Sequence, residues 1–308
     1  MDPLEDIFSS MRVQQAVYAH LEARAPWGIS FREGAGARFG LVVRGGCRLR
    51  MLGSDESLAL ATGDCYLIAH GARYQLLDDL RTPTVDCFSL IRDRIGSPIP
   101  VGGDGAGTTI ISGWFQFDAQ GAQPLLALLP PLIHIRMQQE RTKMLEAALQ
   151  LLAMETLAGA LGSGLVVSRL ADILFLQAVR THVATLGERD TGWLAALADA
   201  RMSAALRAIH KNLARDWTVA ALAREVGMSR SALALRFKQK IGQAPLEYIT
   251  RWRMWRAAEW LRNGGKSVGE VASLVGYASE AAFSKTFTRA HGTPPGRYRR
   301  AEAPQASP

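Results

Sequence analysis

The chain has 308 residues, 48% of them hydrophobic and 21% charged, and a net charge of +8. This leaves enough apolar side chain for two cores and excludes a collagen-like or disordered polymer. The N-terminal MDPLEDIF is acidic and lacks an apolar signal region. No run of 18 or more apolar residues occurs, because Pro130 and Pro131 break the longest one, Pro124 to Ile135. Neither a secretory leader nor a membrane-spanning helix is therefore expected. Cys47, Cys65 and Cys87 are unclustered and have no metal-ligand spacing, which suits reduced thiols in a cytoplasm. The six histidines are scattered and read as core or surface residues.

Met1 to about Phe117 reads as β-rich. Short apolar or alternating segments run Ile29–Phe31, Arg38–Arg44, Cys47–Leu52, Ser57–Ala61, Cys65–Ala69, Tyr74–Leu77, Val85–Ile91 and Thr108–Phe117. Glycine-rich or polar turns separate them, as in a barrel or double-sheet roll. Within this region Gly63 to Tyr74, GDCYLIAHGARY, resembles the second motif of the cupin barrel, with Gly63 and Gly71 in place. Ala69 stands at the usual proline and Tyr74 at the usual metal-binding histidine. Gly40 and Val42 occupy the places of the first motif's two histidines. The resemblance thus implies a cupin-like sensor without the metal, with no catalytic residues and no cofactor. Trp27, Phe39, His70 and Tyr74 are the candidate ligand-binding residues. The aromatic three line a cavity or fill the barrel solidly; His70 binds an effector at the barrel mouth or is a turn histidine with its own hydrogen bonds.

From Pro124 to about Leu186 the pattern turns helical. Met144, Leu145, Ala148, Leu149, Leu151 and Leu152 crowd one helix, and Leu170, Ile173, Leu174, Leu176 and Val179 another. Both carry more apolar surface than one packing face needs, so the excess serves a dimer contact or packs on the outside of the barrel. Gly187–Gly192, GERDTG, reads as a linker. Trp193–Leu213 reads as one helix, and Pro304–Pro308 as a frayed tail.

Trp217 to Arg300 contains one helical pattern twice. Val219, Ala223, Val226 and Gly227 recur 49 residues on as Val268, Ala272, Val275 and Gly276. Phe237, Gly242, Pro245 and Tyr248 recur 50 residues on as Phe287, Gly292, Pro295 and Tyr298. In the first copy Val219, Leu222, Ala223 and Val226 form one helix face, Gly227 makes the turn, and Ser229 caps a second helix anchored by Leu233 and Phe237. In the second, Ser267 and Glu270 form a capping box, Gly276 turns, and Phe283 and Phe287 anchor. This is helix-turn-helix grammar, in which the second helix enters the DNA major groove. The groove-facing candidates are Ser229, Arg230, Ser231, Ala234, Leu235 and Lys238, and then Ser279, Glu280, Ala281, Ser284 and Lys285. Pro245–Arg262 reads as the helix joining the units. The basic charge is local: Lys211 to Arg300 holds 17 Lys and Arg against six Asp and Glu, so the rest of the chain is net acidic.

The arrangement closely resembles the DNA-binding region of the AraC family of bacterial transcription factors. Ala223, Gly227, Met228, Ser229, Leu233, Phe237, Gly242, Pro245 and Tyr248 carry the likeness in the first unit. Gly276, Tyr277, Phe283, Phe287, Gly292, Pro294, Pro295 and Tyr298 carry it in the second. The departure is at Ala234 and Leu235, where family members often have polar side chains. The first unit is therefore expected to read few bases directly and to lean on phosphates and DNA shape. The DPLEDIF opening, APWGI at Ala25–Ile29 and PLLALLPPLIH fit a cupin-bearing branch of the same family.

The expected fold class is α+β: a cupin-like sensor and dimerisation domain with helical extension over 1–186, a linker at 187–192, and an all-α DNA-binding domain over 193–303. The resemblance implies a transcription regulator, expected as an activator, working on double-stranded DNA with a small-molecule effector. It implies a homodimer located in the cytoplasm at the nucleoid, with RNA polymerase as a further candidate partner. Two rivals make different demands. A metal-dependent cupin enzyme, a dioxygenase or isomerase fused to a DNA-binding domain, needs a ring of imidazoles, and a DNA-repair protein needs a reactive cysteine in a basic motif.

Overall fold

The computed structural model describes residues 3–8, 13–34, 36–53, 56–91, 98–117, 126, 128–136, 147–148, 150–152, 154–155 and 160–302. The chain divides into two units, one spanning Met11–Thr185, the other combining Met1–Ser10 with Leu186–Pro308. The protein is α+β: mixed sheets occupy the first unit and helices the second.

In the sheet unit, β1 (Val13–Arg24), β3 (Ala37–Arg44), β6 (Asp64–Ile68), β9 (Ile99–Gly102), β10 (Gly107–Phe117) and β11 (Leu132–Arg136) form a six-stranded sheet in the order β11-β6-β3-β10-β1-β9. The second sheet comprises β2 (Gly28–Phe31), β4 (Gly46–Met51), β5 (Ser57–Ala61), β7 (Tyr74–Leu77) and β8 (Val85–Asp86), in the order β5-β4-β7-β2-β8. Strand alternation sorts the side chains. Leu21 and Ala23 of β1, Val42 of β3, Tyr66 and Ile68 of β6 and Ile110 of β10 join Ile29, Phe31, Tyr74 and Leu76 of the other sheet in one core. The opposite parity of the large sheet, including Phe39 and Phe115 with rings 5.1 Å apart, faces outward. The helix α3 (Ser163–Thr185) packs across β1 and β11.

Several elements differ from expectation. The segment Val85–Ile91 is a two-residue strand followed by a short helix, α2 (Cys87–Ile91). Asp86 turns the chain: its carboxylate accepts from the Phe88 N–H at 2.9 Å, and its carbonyl accepts from Ser89 Oγ at 2.6 Å. Leu132–Arg136, placed in a helical region by its apolar run, is a strand that pairs antiparallel with β6. β1 and β9 are strands that the alternation of the sequence does not mark. The β1 core positions are partly alanines, which weakens the alternation. The helix expected across Met144–Leu152 falls largely outside the described residues, although Ala148 and Leu152 are buried and Leu151 is exposed. The tail 304–308 also lies outside them.

In the helical unit, α1 (Pro3–Phe8) packs on α5 (Ala200–Lys211). The expected single helix Trp193–Leu213 is two, α4 (Trp193–Ala198) and α5, because Asp199 is extended at φ −82°, ψ 118°. Its side chain caps α5 by accepting from the N–H groups of Arg201 and Met202. The remainder follows the repeat: α6 (Val219–Glu225), α7 (Arg230–Ile241), α8 (Pro245–Arg262), α9 (Val268–Leu274), α10 (Glu280–His291) and α11 (Pro295–Glu302).

Candidate nucleic-acid interface

The two copies are built alike down to single hydrogen bonds. Thr218 caps α6 and Ser267 caps α9; the latter shares a capping box with Glu270, whose carboxylate accepts from the Ser267 N–H at 2.6 Å. Gly227 and Gly276 turn the chain at φ +64° and +82°. The turn is closed by the Met228 N–H on the Ala223 carbonyl in one copy and by the Tyr277 N–H on the Ala272 carbonyl in the other, both at 2.9 Å. Ser229 and Ser279 then cap α7 and α10. Leu233 and Phe237, and Phe283 and Phe287, are all fully buried. Gly242 and Gly292 end the two helices in the left-handed conformation.

With those anchors inward, the other side of each helix is open. Arg230, Ser231, Leu235 and Lys238 are exposed on α7 and Ala234 is half-buried. On α10, Glu280, Ala281 and Lys285 are exposed and Ser284 is half-buried. Leu235 is 61% exposed. Ser229 and Ser279 sit at the entry of each helix with their oxygens already accepting a backbone N–H. The joining helix α8 has 18 residues, which gives it a length of roughly 27 Å.

Not all of the basic charge points outward. Arg236 donates from Nε and Nη2 to Asp199 Oδ2 at 2.9 and 2.6 Å, tying α7 to the cap of α5. Lys240 is 8% exposed and donates to the carbonyls of Glu188 and Asp190, so it clasps the GERDTG segment. Arg253 donates to the Leu213 and Arg215 carbonyls. These cations hold the unit together. Periodicity carried the signal for α7, because Lys240 follows Leu233 and Phe237 at i+7 and i+3 on the packed face. Behind α7, the Tyr248 hydroxyl accepts from Trp193 Nε1 and shares a hydrogen bond with His210 Nε2, each at 2.8 Å.

In the sheet unit the four ligand candidates do not meet. Trp27 is buried in the core, and Tyr74 stacks on Phe31 with ring centroids 4.2 Å apart. Phe39 lies on the outward face with Phe115, beside Leu174 and Phe175 of α3. His70 is exposed at φ +60°, with Nε2 3.1 Å from the Leu129 carbonyl. The described lining of a cavity of about 210 Å³ in this unit includes none of them; it includes Arg38. The places of the first cupin histidines are filled differently as well. A Cβ on Gly40 would lie 2.4 Å from the Tyr66 hydroxyl oxygen, so the tyrosine occupies the room an imidazole there would need. Among the described residues no cluster of three or more His, Cys, Asp or Glu could hold a metal ion. Burial pushes the thiols of Cys47, Cys65 and Cys87 up to about 12, which keeps them protonated and unreactive.

Residues 2–184 match the Cupin family and residues 222–301 a helix-turn-helix domain. Over nearly its whole length the chain is similar to proteins described as AraC-like transcription regulators. One, from Streptomyces lividans, is 38% identical over 97% of this chain and 98% of its own. Another, from Streptomyces antibioticus, is 36% identical over 99% and 100%. The HTH-type transcriptional regulator AlkR of Acinetobacter baylyi is 29% identical over 97% and 99%.

Proposed function

Because this chain belongs to the AraC-like transcription regulators, a family that binds DNA to regulate transcription, we propose that α7 and α10 are its two reading helices. Ser229, Arg230, Ser231, Ala234, Leu235 and Lys238 face the groove in the first unit. Ser279, Glu280, Ala281, Ser284 and Lys285 do so in the second. The supporting observation is the split of each helix: its anchors are fully buried and its opposite side open. The outward cations hold phosphates, and Leu235 and Ala234 offer only apolar contact, for example to a thymine methyl.

The sheet unit acts as a non-catalytic sensor for a small effector and as the dimerisation module of a cytoplasmic homodimer. RNA polymerase is the downstream partner. On α3, Leu165 (67% exposed), Val166 and Ile173 support a subunit contact, since each leaves apolar surface in water. Leu165→Glu with Ile173→Glu then converts the dimer to monomer in sedimentation equilibrium; an unchanged mass refutes that contact.

Binding to a cognate operator tests the reading helices. Neutralising about six to ten phosphates makes affinity fall by roughly 10³ to 10⁵ between about 50 and 200 mM salt. Lys285→Ala lowers affinity, and if Lys285 holds a phosphate it reduces the magnitude of the logarithmic salt slope by about one. A flat salt dependence contradicts the phosphate clamp. Wild-type affinity and sequence preference in Lys285→Ala show that α10 is oriented otherwise.

A further inference from the structure

Arg38 is an anomaly inside the sheet unit. Register places it there. It pairs with Trp114 of β10, which pairs with Val17 of β1, and the next row inward is Gly40, Ser112 and Ala19. These rows have the parity of Val42, Ile110 and Leu21, all members of the core. Arg38 is 6% exposed, and its Nη1 is fully enclosed with no hydrogen-bond partner among the described residues. No carboxylate pairs with it among the described residues. A buried guanidinium without a counter-charge is strongly unfavourable, so a fold that keeps one gains from an anion brought to it.

The surroundings define that anion. Arg38 lines the cavity of about 210 Å³ together with Val17, Phe31, Ile91 and Trp114, and small residues of β1 and β10 leave the room. The volume lies below the usual range for drug-sized ligands and above that of a cavity that accepts benzene. The Cys87 thiol in the wall is pushed up to about 12, chiefly by burial, so it adds no negative charge. Arg32 at the same cavity is already paired with Asp86. Among the described residues, one available guanidinium in an apolar wall matches a single negative charge on an apolar body. A phosphate would bring a second charge with no further free cation among the described residues of the wall to balance it.

We propose that this cavity binds a small organic monocarboxylate with an aromatic or compact apolar body, its carboxylate on Arg38 and its body against Phe31, Ile91 and Trp114. Guanidinium and carboxylate suit each other as a planar, two-bonded pair. The proposal deepens the sensor reading given above and rests on it for its regulatory consequence, though not for the binding itself.

Calorimetric titration of the full-length protein tests it, with benzoate and phenylacetate as probes, their primary amides as neutral controls of the same shape, and sulfate as a bare anion. The acids bind at least about tenfold more tightly than the amides, and sulfate does not substitute. Arg38→Met and Arg38→Gln abolish the preference for acid over amide. Arg38→Met also leaves the protein without ligand at least as thermally stable as wild type, since an unpaired charge has gone. Equal binding of acid and amide, binding of neither acid, or an equal response to sulfate overturns the proposal on wild type alone, whether or not the variants fold. Operator affinity measured with and without benzoate separates the two readings. Acid binding through Arg38 that leaves DNA affinity unchanged keeps the site and removes the sensor role.

Discussion

The bridge between Asp199 and Arg236 sets where α7 sits, and its strength follows from its geometry. Asp199 Oδ1 accepts from the backbone N–H groups of Arg201 and Met202, both at 3.1 Å, while Oδ2 takes both bonds from Arg236. The carboxylate is 8% exposed and the guanidinium 42%. Asp199→Asn keeps an amide oxygen for the cap but turns an NH₂ toward the guanidinium. A charge-assisted hydrogen bond contributes about 1.5–3 kcal/mol, and the water at Arg236 scales that toward its lower end, so a loss of about 1–2 kcal/mol is expected. Asp199→Ala loses the cap as well, about 1 kcal/mol more. Burial alone would raise the Asp199 pKa; the backbone bonds from Met202 and Arg201 and the Arg236 charge outweigh it and hold the group below 3.8. The contribution is therefore complete above that value and fades as pH falls through the lower folded one. Equilibrium unfolding in urea, followed by tryptophan fluorescence, reads these losses, and a double-mutant cycle with Arg236→Ala isolates the pair. If Asp199→Asn is as stable as wild type and the cycle shows no coupling, Asp199 is only a cap and α7 is held by its apolar anchors alone.

Three further outcomes follow from the same unit. Gly227→Ala meets only the left-handed backbone, with nothing within 4 Å of the new Cβ, and costs roughly 1–2 kcal/mol in thermal or urea unfolding. Gly276→Ala adds a Cβ 2.3 Å from the Ala214 carbonyl oxygen and costs more than that; equal losses at the two glycines contradict the close approach. His291 is held below its ordinary 6.5 by burial first, with the Arg262 charge adding and the Met254 carbonyl opposing. The unfolded chain therefore takes the proton more readily, so stability is full above 6.5 and falls as pH drops below it. In His291→Gln the urea midpoint loses part of its slope between about pH 7.5 and 5.5; an unchanged slope means that His291 takes its proton equally well in the folded and the unfolded chain.

The helical unit was legible because each residue in its grammar has one local duty. A capping serine, a turning glycine and an apolar pair at i and i+4 specify themselves at short range, and α8 runs from Pro245 to Arg262 as its sequence reads. The sheet unit was legible in kind and not in detail. Strand pairing is long-range, and Leu132–Arg136 becomes a strand only because β6 offers an edge to it. Residue type alone points to the aromatic side chains, but strand parity decides who faces the cavity: Phe39 points outward and its neighbour Arg38 inward. The charge count had the same blind spot, since composition adds Arg236 and Lys240 to a phosphate surface from which packing removes them.

The repeat also separates what a unit needs for itself from what attaches it to the chain. Leu233, Phe237, Gly242, Pro245 and Tyr248 have counterparts in Phe283, Phe287, Gly292, Pro295 and Tyr298, and these build each unit's core or its turn. Arg236 and Lys240 do not: the matching positions are Thr286 and Ala290. Those two cations are the ones that bind α7 to Asp199 and to the Glu188 and Asp190 carbonyls. The first unit is thus clasped to the segment that enters the helical unit, by contacts the second unit lacks the side chains to make. A change in that segment is felt first at α7 through polar bonds whose breaking leaves Lys240 buried without an acceptor, while α10 keeps its apolar anchors untouched.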